Sequence, residues 1–180
     1  MEATSQAELR ALVDKEAIRD CLYRYCRGID RADEELLRSA YWPDAHDTHG
    51  AYVGSANGFI EHALPRLRAG GRGVHQVNNI LIELHGDAAA VESSFFALQT
   101  NVAAPTLRTL LCGRYLDHFE RRQGEWRIAA RTVVYDWIEE RTRAELAQHN
   151  VALFAARQPT GERSPADPVY DLLERVRQRR

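Results

Sequence analysis

Long apolar runs are missing from this chain of 180 residues. No stretch of about 18 consecutive apolar residues occurs, so a transmembrane helix and a membrane partner are not expected. Cysteine is scarce, because only Cys21, Cys26 and Cys112 are present, at spacings that fit neither a metal site nor a redox pair. These observations exclude a disulfide framework and favour free thiols in a reducing cytoplasm.

An excess of charge of either sign is also missing. The chain has 24 basic and 26 acidic residues, a balance that disfavours binding to nucleic acid. Its apolar fraction of 44% excludes disorder over most of its length. Residues 1–6 are polar and lack the apolar core of a signal peptide, so we expect a cytoplasmic protein. One compact domain of this size needs no disulfide or metal to fold.

The first third of the chain has helical patterning. Ser5 and Glu8 form a capping box that predicts a helix start, and apolar residues follow at helical spacing over 12–29. An aspartate cap predicts a second, short helix over 33–43 that ends at a proline. A third helix is predicted over 55–70.

The middle of the chain is rich in β-forming residues. Four strands are predicted, over 74–84, 88–102, 107–120 and 126–138. Short turns join them, so they should pair antiparallel, with a bulge expected at Gly113. Helices followed by a curled antiparallel sheet indicate an α+β domain in the shape of a cone. A small-molecule pocket would lie inside that cone.

The last forty residues differ in composition. We expect the cone-shaped domain over 1–140 and a C-terminal helical extension over 141–180, with a helix over 141–156, a proline-containing linker over 158–168 and a short final helix. The extension would wrap a neighbour, lie over the cone, or be partly mobile.

Asp30 and His75 are the first candidates for chemistry. Asp30 ends the apolar stripe of the first helix, where a carboxylate is costly unless it is paired. His75 begins the first predicted strand. A carboxylate bonded to one imidazole nitrogen would leave the other nitrogen as a base. The alternatives are a solvated aspartate at the helix end and a histidine that forms a structural hydrogen bond.

Arg131 and Tyr25 are the next candidates. Arg131 lies on the predicted last strand, and both faces of that strand are half apolar, so periodicity does not decide which face is inside. Inside the cone it would need a carboxylate or an anionic substrate group; outside it would be solvated. Tyr25 lies on the apolar stripe of the first helix, either as a core aromatic or as a hydrogen-bond donor in the pocket.

A cluster of acids and histidines follows the second helix, at Asp44, His46, Asp47 and His49. Its spacing does not complete a metal-binding pattern, so no metal is predicted. His49 is instead expected to line the mouth of the pocket.

Several segments together carry a family resemblance over about residues 8–140. They are Tyr25, Asp30-Arg31-Ala32-Asp33, Pro43-Asp44-Ala45, Val53-Gly54-Ser55, His75-Gln76-Val77-Asn78-Asn79, Gly113-Arg114-Tyr115-Leu116-Asp117 and Glu125-Trp126-Arg127-Ile128. With these segments the chain resembles the SnoaL-like branch of the nuclear-transport-factor-like superfamily of cone-shaped α+β proteins.

The resemblance implies roles for four residues. Scytalone dehydratases and the hexachlorocyclohexane dehydrochlorinase use an Asp–His dyad at the places of Asp30 and His75. Bile-acid dehydratases add a tyrosine and an arginine at the places of Tyr25 and Arg131. The dehydrochlorinase has a lysine at the first of these places, and the second histidine of scytalone dehydratase is absent from residues 94–99.

The function implied is that of a cofactor-independent lyase, of dehydratase type or releasing formaldehyde, acting on an aromatic or polycyclic hydroxy compound. His75 would be the base, Asp30 would orient it, and Arg131 and Tyr25 would donate to the leaving oxygen. Substrate contacts are expected from His49, Trp42, Phe96 and Tyr115.

Three other functions remain open. They are a ketosteroid-type isomerase, the non-catalytic small subunit of a ring-hydroxylating dioxygenase, and a carrier that binds a ligand without turnover. Assembly through the outer face of the sheet as a homodimer or homotrimer is expected in addition.

Overall fold

A computed structural model describes residues 5–70, 72–100, 104, 106–142, 156–157 and 159–178. Two helices come first, but two strands precede the third helix, so the predicted order of helices followed by a sheet holds only in part. The elements are α1 (Gln6–Arg31), α2 (Glu34–Ala40), β1 (Tyr41–His49), β2 (Tyr52–Ser55), α3 (Ala56–Ala69), β3 (Gly73–His85), β4 (Ala88–Thr100), β5 (Leu107–Arg122), β6 (Glu125–Thr142) and α4 (Pro168–Arg177). Most of the helix predicted over 141–156 lies outside the described residues.

Helix α1 begins at the predicted capping box. The backbone N–H of Glu8 donates to Ser5 Oγ at 3.2 Å, and the backbone N–H of Ser5 donates to the Glu8 carboxylate at 2.7 Å. The helix contains Gly28 where α2 approaches it closely, since a Cβ added there would lie 2.8 Å from Leu37 Cγ of α2. It ends at Ala32, which adopts the left-handed conformation with φ of 50°. This close approach of α2 fixes the end of α1.

The prediction that the second helix ends at Pro43 is wrong. Helix α2 ends at Ala40, and the chain passes directly into β1, a strand that sequence patterning does not predict. Pro43 lies in the irregular part of β1, where the register with β6 shifts between Tyr41 and His46. A proline is tolerated there because it has no N–H to donate to a ladder.

The six strands form one curved, unclosed sheet in the order β2-β1-β6-β5-β4-β3. The four predicted strands pair antiparallel as expected. The sheet is not wholly antiparallel, however, because β1 runs parallel to β6. A register shift occurs beside Gly113, but its extra residue is Asp136 of β6 rather than Gly113 itself. A side chain at Gly113 would lie 2.0 Å from Val134 O.

A second register shift decides which face of β6 points inward. Phe119 pairs with Ile128 and His118 pairs with Ala130, so Ala129 is an extra residue in β6. The inward-facing residue after Ile128 is therefore Arg131, three positions on, rather than Ala130, two positions on, as strict alternation would require. The grouping of alternate residues 126–134 on one face, which simple periodicity predicts, is wrong for this reason.

The concave face of the sheet packs on α1, α2 and α3 and holds the core. The convex face is partly apolar, with Phe96 42% and Leu116 37% exposed. The homodimer or homotrimer that the resemblance implies through this face stays a prediction. Of the described helices, none is both long and apolar enough to cross a membrane.

Candidate functional site

An aspartate and a histidine from different elements meet where α1 ends. Asp30 Oδ1 lies 2.7 Å from His75 Nδ1, and Asp30 Oδ2 accepts the His75 backbone N–H at 3.0 Å. One carboxylate therefore holds both the ring and the main chain of the same residue. The contact that the dyad hypothesis requires is present, while the catalytic role of the two residues stays a prediction.

The local structure explains why these two side chains meet. Asp30 lies in the last turn of α1, two residues before the left-handed cap at Ala32. His75 is the third residue of β3, an edge strand whose other edge pairs with β4 at Ala97. The His75 side chain lies on the inward face of β3. The backbone N–H of His75 donates to Asp30 of α1 rather than to another strand.

The hydrogen bond fixes the chemistry that the imidazole can perform. An ionised carboxylate only accepts hydrogen bonds, so Nδ1 carries the proton and Nε2 keeps its lone pair in the neutral ring. Nε2 is then the atom that can take a proton, and Asp30 stabilises the imidazolium that forms. The His75 and Asp30 side chains are only 9% and 10% exposed, so solvent screens their interaction little.

A groove of about 500 Å³ opens beside His75, between α1 and the edge strand β3. Its lining consists of aromatic, aliphatic, cationic and amide side chains: Tyr23, Cys26, Arg27, His75, Gln76, Val77 and Asn78. The wall beside the imidazole is therefore more polar than the apolar pocket that the sequence predicts.

Arg131 lies on the inner face of β6, as the catalytic hypothesis requires, but Asp117 of β5 binds it. Its Nε donates to Asp117 Oδ1 and its Nη2 to Asp117 Oδ2, each at 2.7 Å. Both side chains are fully buried. Of the two partners considered for an inward arginine, a carboxylate or a substrate anion, the structure provides the carboxylate.

Tyr25 and Tyr115 enclose this arginine from two sides. The guanidinium carbon of Arg131 lies 4.1 Å from the centroid of each ring, and the two rings meet edge to face at 5.7 Å. Burial raises the pKa of the Tyr25 phenol, although the arginine opposes the shift. Neither Arg131 nor Tyr25 is among the groove-lining residues, so their placement does not support donation to a leaving oxygen there.

A second acid–histidine contact lies at the end of β1. Tyr41 donates its hydroxyl hydrogen to Asp47 Oδ2 at 2.7 Å, and Asp47 Oδ1 lies 3.4 Å from His49 Nδ1. The His49 ring stacks on Phe59 of α3, with centroids 4.4 Å apart. Within the described part of the chain, Asp47 Oδ1 and Arg131 Nη1 are buried without a hydrogen-bond partner.

The other predicted substrate contacts are placed away from the dyad. Phe96 is a correction, because it lies on the convex face while its neighbour Phe95 points inward, 5% exposed, as alternate residues of a strand must. Trp42 packs against the guanidinium groups of Arg122 and Arg127 and donates its indole N–H to a backbone carbonyl. Tyr115 is buried against the arginine and does not line the groove.

The acid–histidine cluster of β1 is divided between environments. Asp44 is exposed and pairs with Arg122 at 2.7 Å, whereas Asp47 is fully buried. In the ranges that the structure describes, no three potential metal ligands of the His, Cys, Asp and Glu types converge.

Asp117 is the buried partner of Arg131, and sequence reasoning assigned it no such role. It follows Tyr115 at a spacing of two in the same strand, so both must share one face. That spacing, together with the apolar residues around it, could have predicted a buried carboxylate and hence a buried partner for Arg131.

A sequence profile of the SnoaL-like domain matches residues 10–132. Proteins of curated function give no match. Among solved structures, a type 2 hexachlorocyclohexane dehydrochlorinase is similar with 22% identity and a TM-score of 0.69, over 75% of this chain and 93% of its own. A candidate scytalone dehydratase from Novosphingobium aromaticivorans is similar with 19% identity and a TM-score of 0.66, over 72% and 88%.

The beta subunit of a candidate aromatic-ring-hydroxylating dioxygenase, also from Novosphingobium aromaticivorans, is similar with 20% identity and a TM-score of 0.58, over 72% of this chain and 93% of its own. At such identities these likenesses establish the cone-shaped α+β fold alone. The three proteins are named for different activities, so the shared fold does not indicate which activity this chain has.

Proposed function

Because the chain belongs to the SnoaL-like family, we propose that it is an enzyme in which His75, oriented by Asp30, acts as the general base of a cofactor-independent elimination. The observation that carries the proposal is the 2.7 Å contact between Asp30 Oδ1 and His75 Nδ1. This contact selects the tautomer in which Nε2 can accept a proton, beside a groove that can admit a small molecule.

The proposed step removes a proton and a leaving group from adjacent carbons. His75 Nε2 takes the proton, and the electrons of the C–H bond form the new C=C bond. The C–O bond breaks and its electrons leave with the hydroxyl group, which takes the proton back from the imidazolium and departs as water. Asp30 stabilises the imidazolium between the two transfers.

We propose a small aromatic or polycyclic hydroxy compound as substrate. Tyr23, Cys26 and Val77 offer an aromatic ring and apolar surface in the groove, whereas Arg27 and Gln76 offer donors to an oxygen. A molecule with a ring and one or two oxygen functions fits this mixed lining better than a pure hydrocarbon does.

A ketosteroid-type isomerase is the second candidate. With Tyr25 buried away from the groove, Arg27 and Gln76 of the groove lining are the groups that could donate to the enolate oxygen of an isomerisation. Isomerisation needs a base that returns the same proton to another carbon, and it requires no leaving group.

Incubation with a panel of aromatic and polycyclic hydroxy compounds, followed by mass spectrometry, tests the proposal. Elimination gives a product lighter by one water or one formaldehyde, and isomerisation gives a product of unchanged mass. His75→Ala should abolish either reaction, whereas His85→Ala, at the exposed far end of β3, should not. Absence of any product, together with tight association with a larger iron-containing chain, would contradict the proposal in favour of a non-catalytic subunit.

A further inference from the structure

The segment 159–178 lies against both of the elements that carry the dyad. It comprises a loop over 159–167 and helix α4. Its contacts reach the last turn of α1, where Asp30 lies, and Arg72, the residue directly before β3.

The contacts with α1 are made to Asp30 and to Arg31, the residue that follows it. The Arg163 guanidinium donates to the backbone carbonyl of Asp30 at 2.5 Å, and the backbone N–H of Ser164 donates to Arg31 O at 2.7 Å. The Arg31 side chain lies 3.3 Å from the Asp167 carboxylate. The loop thus binds the main chain of the turn that aims the catalytic carboxylate.

The contacts with the sheet come from Arg72. Its guanidinium donates to Gly161 O, to Thr160 Oγ1 at 3.2 Å and to the Glu162 carboxylate at 3.2 Å. The backbone carbonyl of Arg72 in turn accepts the N–H of Thr100 in β4 at 2.9 Å. The loop is therefore anchored to the sheet three residues before His75.

The loop holds its own shape. Asp167, only 7% exposed, accepts the backbone N–H of Glu162 at 2.8 Å and that of Val169 at 3.0 Å, so it closes the loop and caps α4. Tyr170 donates to the Asp33 carboxylate at 2.6 Å, and its ring lies 5.6 Å from the Arg27 guanidinium. A loop with internal hydrogen bonds can hold two other elements at a fixed separation.

We propose that residues 159–170, which we name the C-terminal clasp, are positioning residues for the dyad. The clasp sets the distance between the end of α1 and the start of β3, and so maintains the contact of Asp30 with His75. Its relevance to catalysis rests on the proposed function, but its effect on the geometry does not. A displacement of about 1 Å suffices to disrupt a contact of this kind and can cost a large factor in rate.

The His75 backbone amide provides a direct probe. Because β3 is an edge strand and this N–H donates to Asp30 Oδ2, its protection against hydrogen exchange reports the contact without any substrate. Arg72→Met removes the anchor on the sheet, Arg72→Lys keeps the charge, and Arg175→Gln is the matched control at the exposed end of α4. Asp30→Ala defines the signal of a lost contact.

Exchange followed by NMR should show that Arg72→Met lowers the protection of the His75 amide by roughly tenfold, the equivalent of one ordinary hydrogen bond. Arg72→Lys should restore part of the protection of the His75 amide, and Arg175→Gln should leave it unchanged. The protection of the Tyr115 amide in β5 should stay the same in every variant. Tyr170→Phe, which removes a single hydroxyl, should give a smaller loss in the same direction and serves if Arg72→Met does not fold.

Unchanged protection of His75 in Arg72→Met and Tyr170→Phe would overturn the proposal. An equal loss at the Tyr115 amide would also overturn it, because the clasp would then support the whole fold rather than the dyad. Where a substrate is found, the same variants should lower kcat with little change in KM. Loss of turnover in His75→Ala tests the proposed function separately, since the exchange measurement needs no turnover.

Discussion

Arg131 and Asp117 face one another across β6 and β5 and share two hydrogen bonds of 2.7 Å where neither side chain reaches solvent. Removing two charges from water costs several kcal/mol for each ion, and the geometry of the pair offsets that cost only while both partners remain. The Asp117 carboxylate is accordingly as important to the core as the arginine that the sequence singles out.

Arg131→Met should therefore destabilise the protein by about 3–5 kcal/mol, because it leaves a buried carboxylate without its partner. Urea unfolding followed by circular dichroism measures the loss. The double variant Arg131→Met/Asp117→Leu should recover much of it, since no unpaired charge remains.

The exposed pair Arg114–Asp136 supplies the control. Arg114→Met removes a guanidinium of the same kind from solvent-exposed surroundings, where screening makes an ion pair contribute little. If it destabilised the protein as much as Arg131→Met does, burial would not be the cause.

The dyad leads to a prediction about rate. His75→Ala should lower turnover of the true substrate at least about a hundredfold, the contribution expected of a positioned general base. Asp30→Asn should also lower it, because an amide cannot stabilise the imidazolium in the same way. The comparison is made by kcat at saturating substrate, with circular dichroism to verify the fold. Turnover like that of the unmodified protein in His75→Ala would exclude this role.

Much of the architecture could be predicted because the signals are local. The capping box of Ser5 and Glu8 and the four long strands are read from neighbouring residues, and the structure confirms them. Strand β1 escaped prediction because Pro43 and exposed polar residues interrupt its apolar pattern. Its parallel pairing with β6 depends on contacts distant in sequence.

The site was harder to predict than the fold. Asp30 and His75 are separated by 45 positions, and only the packing of α1 on the edge of the sheet brings them together. The residue types suggested a pair, but distance is a tertiary property. Phe96 was misplaced because the Phe95-Phe96 pair does not reveal which ring faces inward.

Thiol chemistry offers a third prediction. Burial raises the pKa of Cys21 to about 11 and that of Cys26 to about 12, so at pH 8 the thiolate form of Cys21 amounts to about one part in a thousand. An aromatic disulfide reagent should label Cys112, which is half-buried, well before the other two. Mass spectrometry of the labelled protein identifies the sites.

Denaturant provides the internal comparison for the thiols. All three should react rapidly once the chain unfolds, and Cys112→Ser should abolish the fast phase in the native protein. Rapid labelling of Cys21 in the native state would show that the core opens more readily than its burial implies.

Acidification should release the C-terminal clasp. Burial raises the pKa of Asp167, but two backbone N–H donors and Arg31 together lower it by more than burial raises it. The pKa therefore lies below its ordinary value of 3.8. A depressed carboxyl pKa means that its stabilising contribution is present above the unfolded pKa and is lost as the pH falls through the folded one. The clasp contacts should therefore weaken below about pH 4.

The amide resonance of Val169, which donates to Asp167, reports this change during an NMR titration. In Asp167→Asn the same resonance should lose its response over that pH range. A response that persisted in Asp167→Asn would assign the transition to another carboxyl group.

The extra residue at Ala129 has a consequence for how this core tolerates insertions and deletions. Because it shifts the strand by one residue, the side chains of residues 130–135 lie on the opposite faces from those that simple alternation with residues 126–128 would give. Deleting that one small residue would turn Arg131 out to the solvent and leave Asp117 alone in the interior, although no charged group had been altered. The ion balance of the core thus depends on the length of a strand as much as on its chemistry.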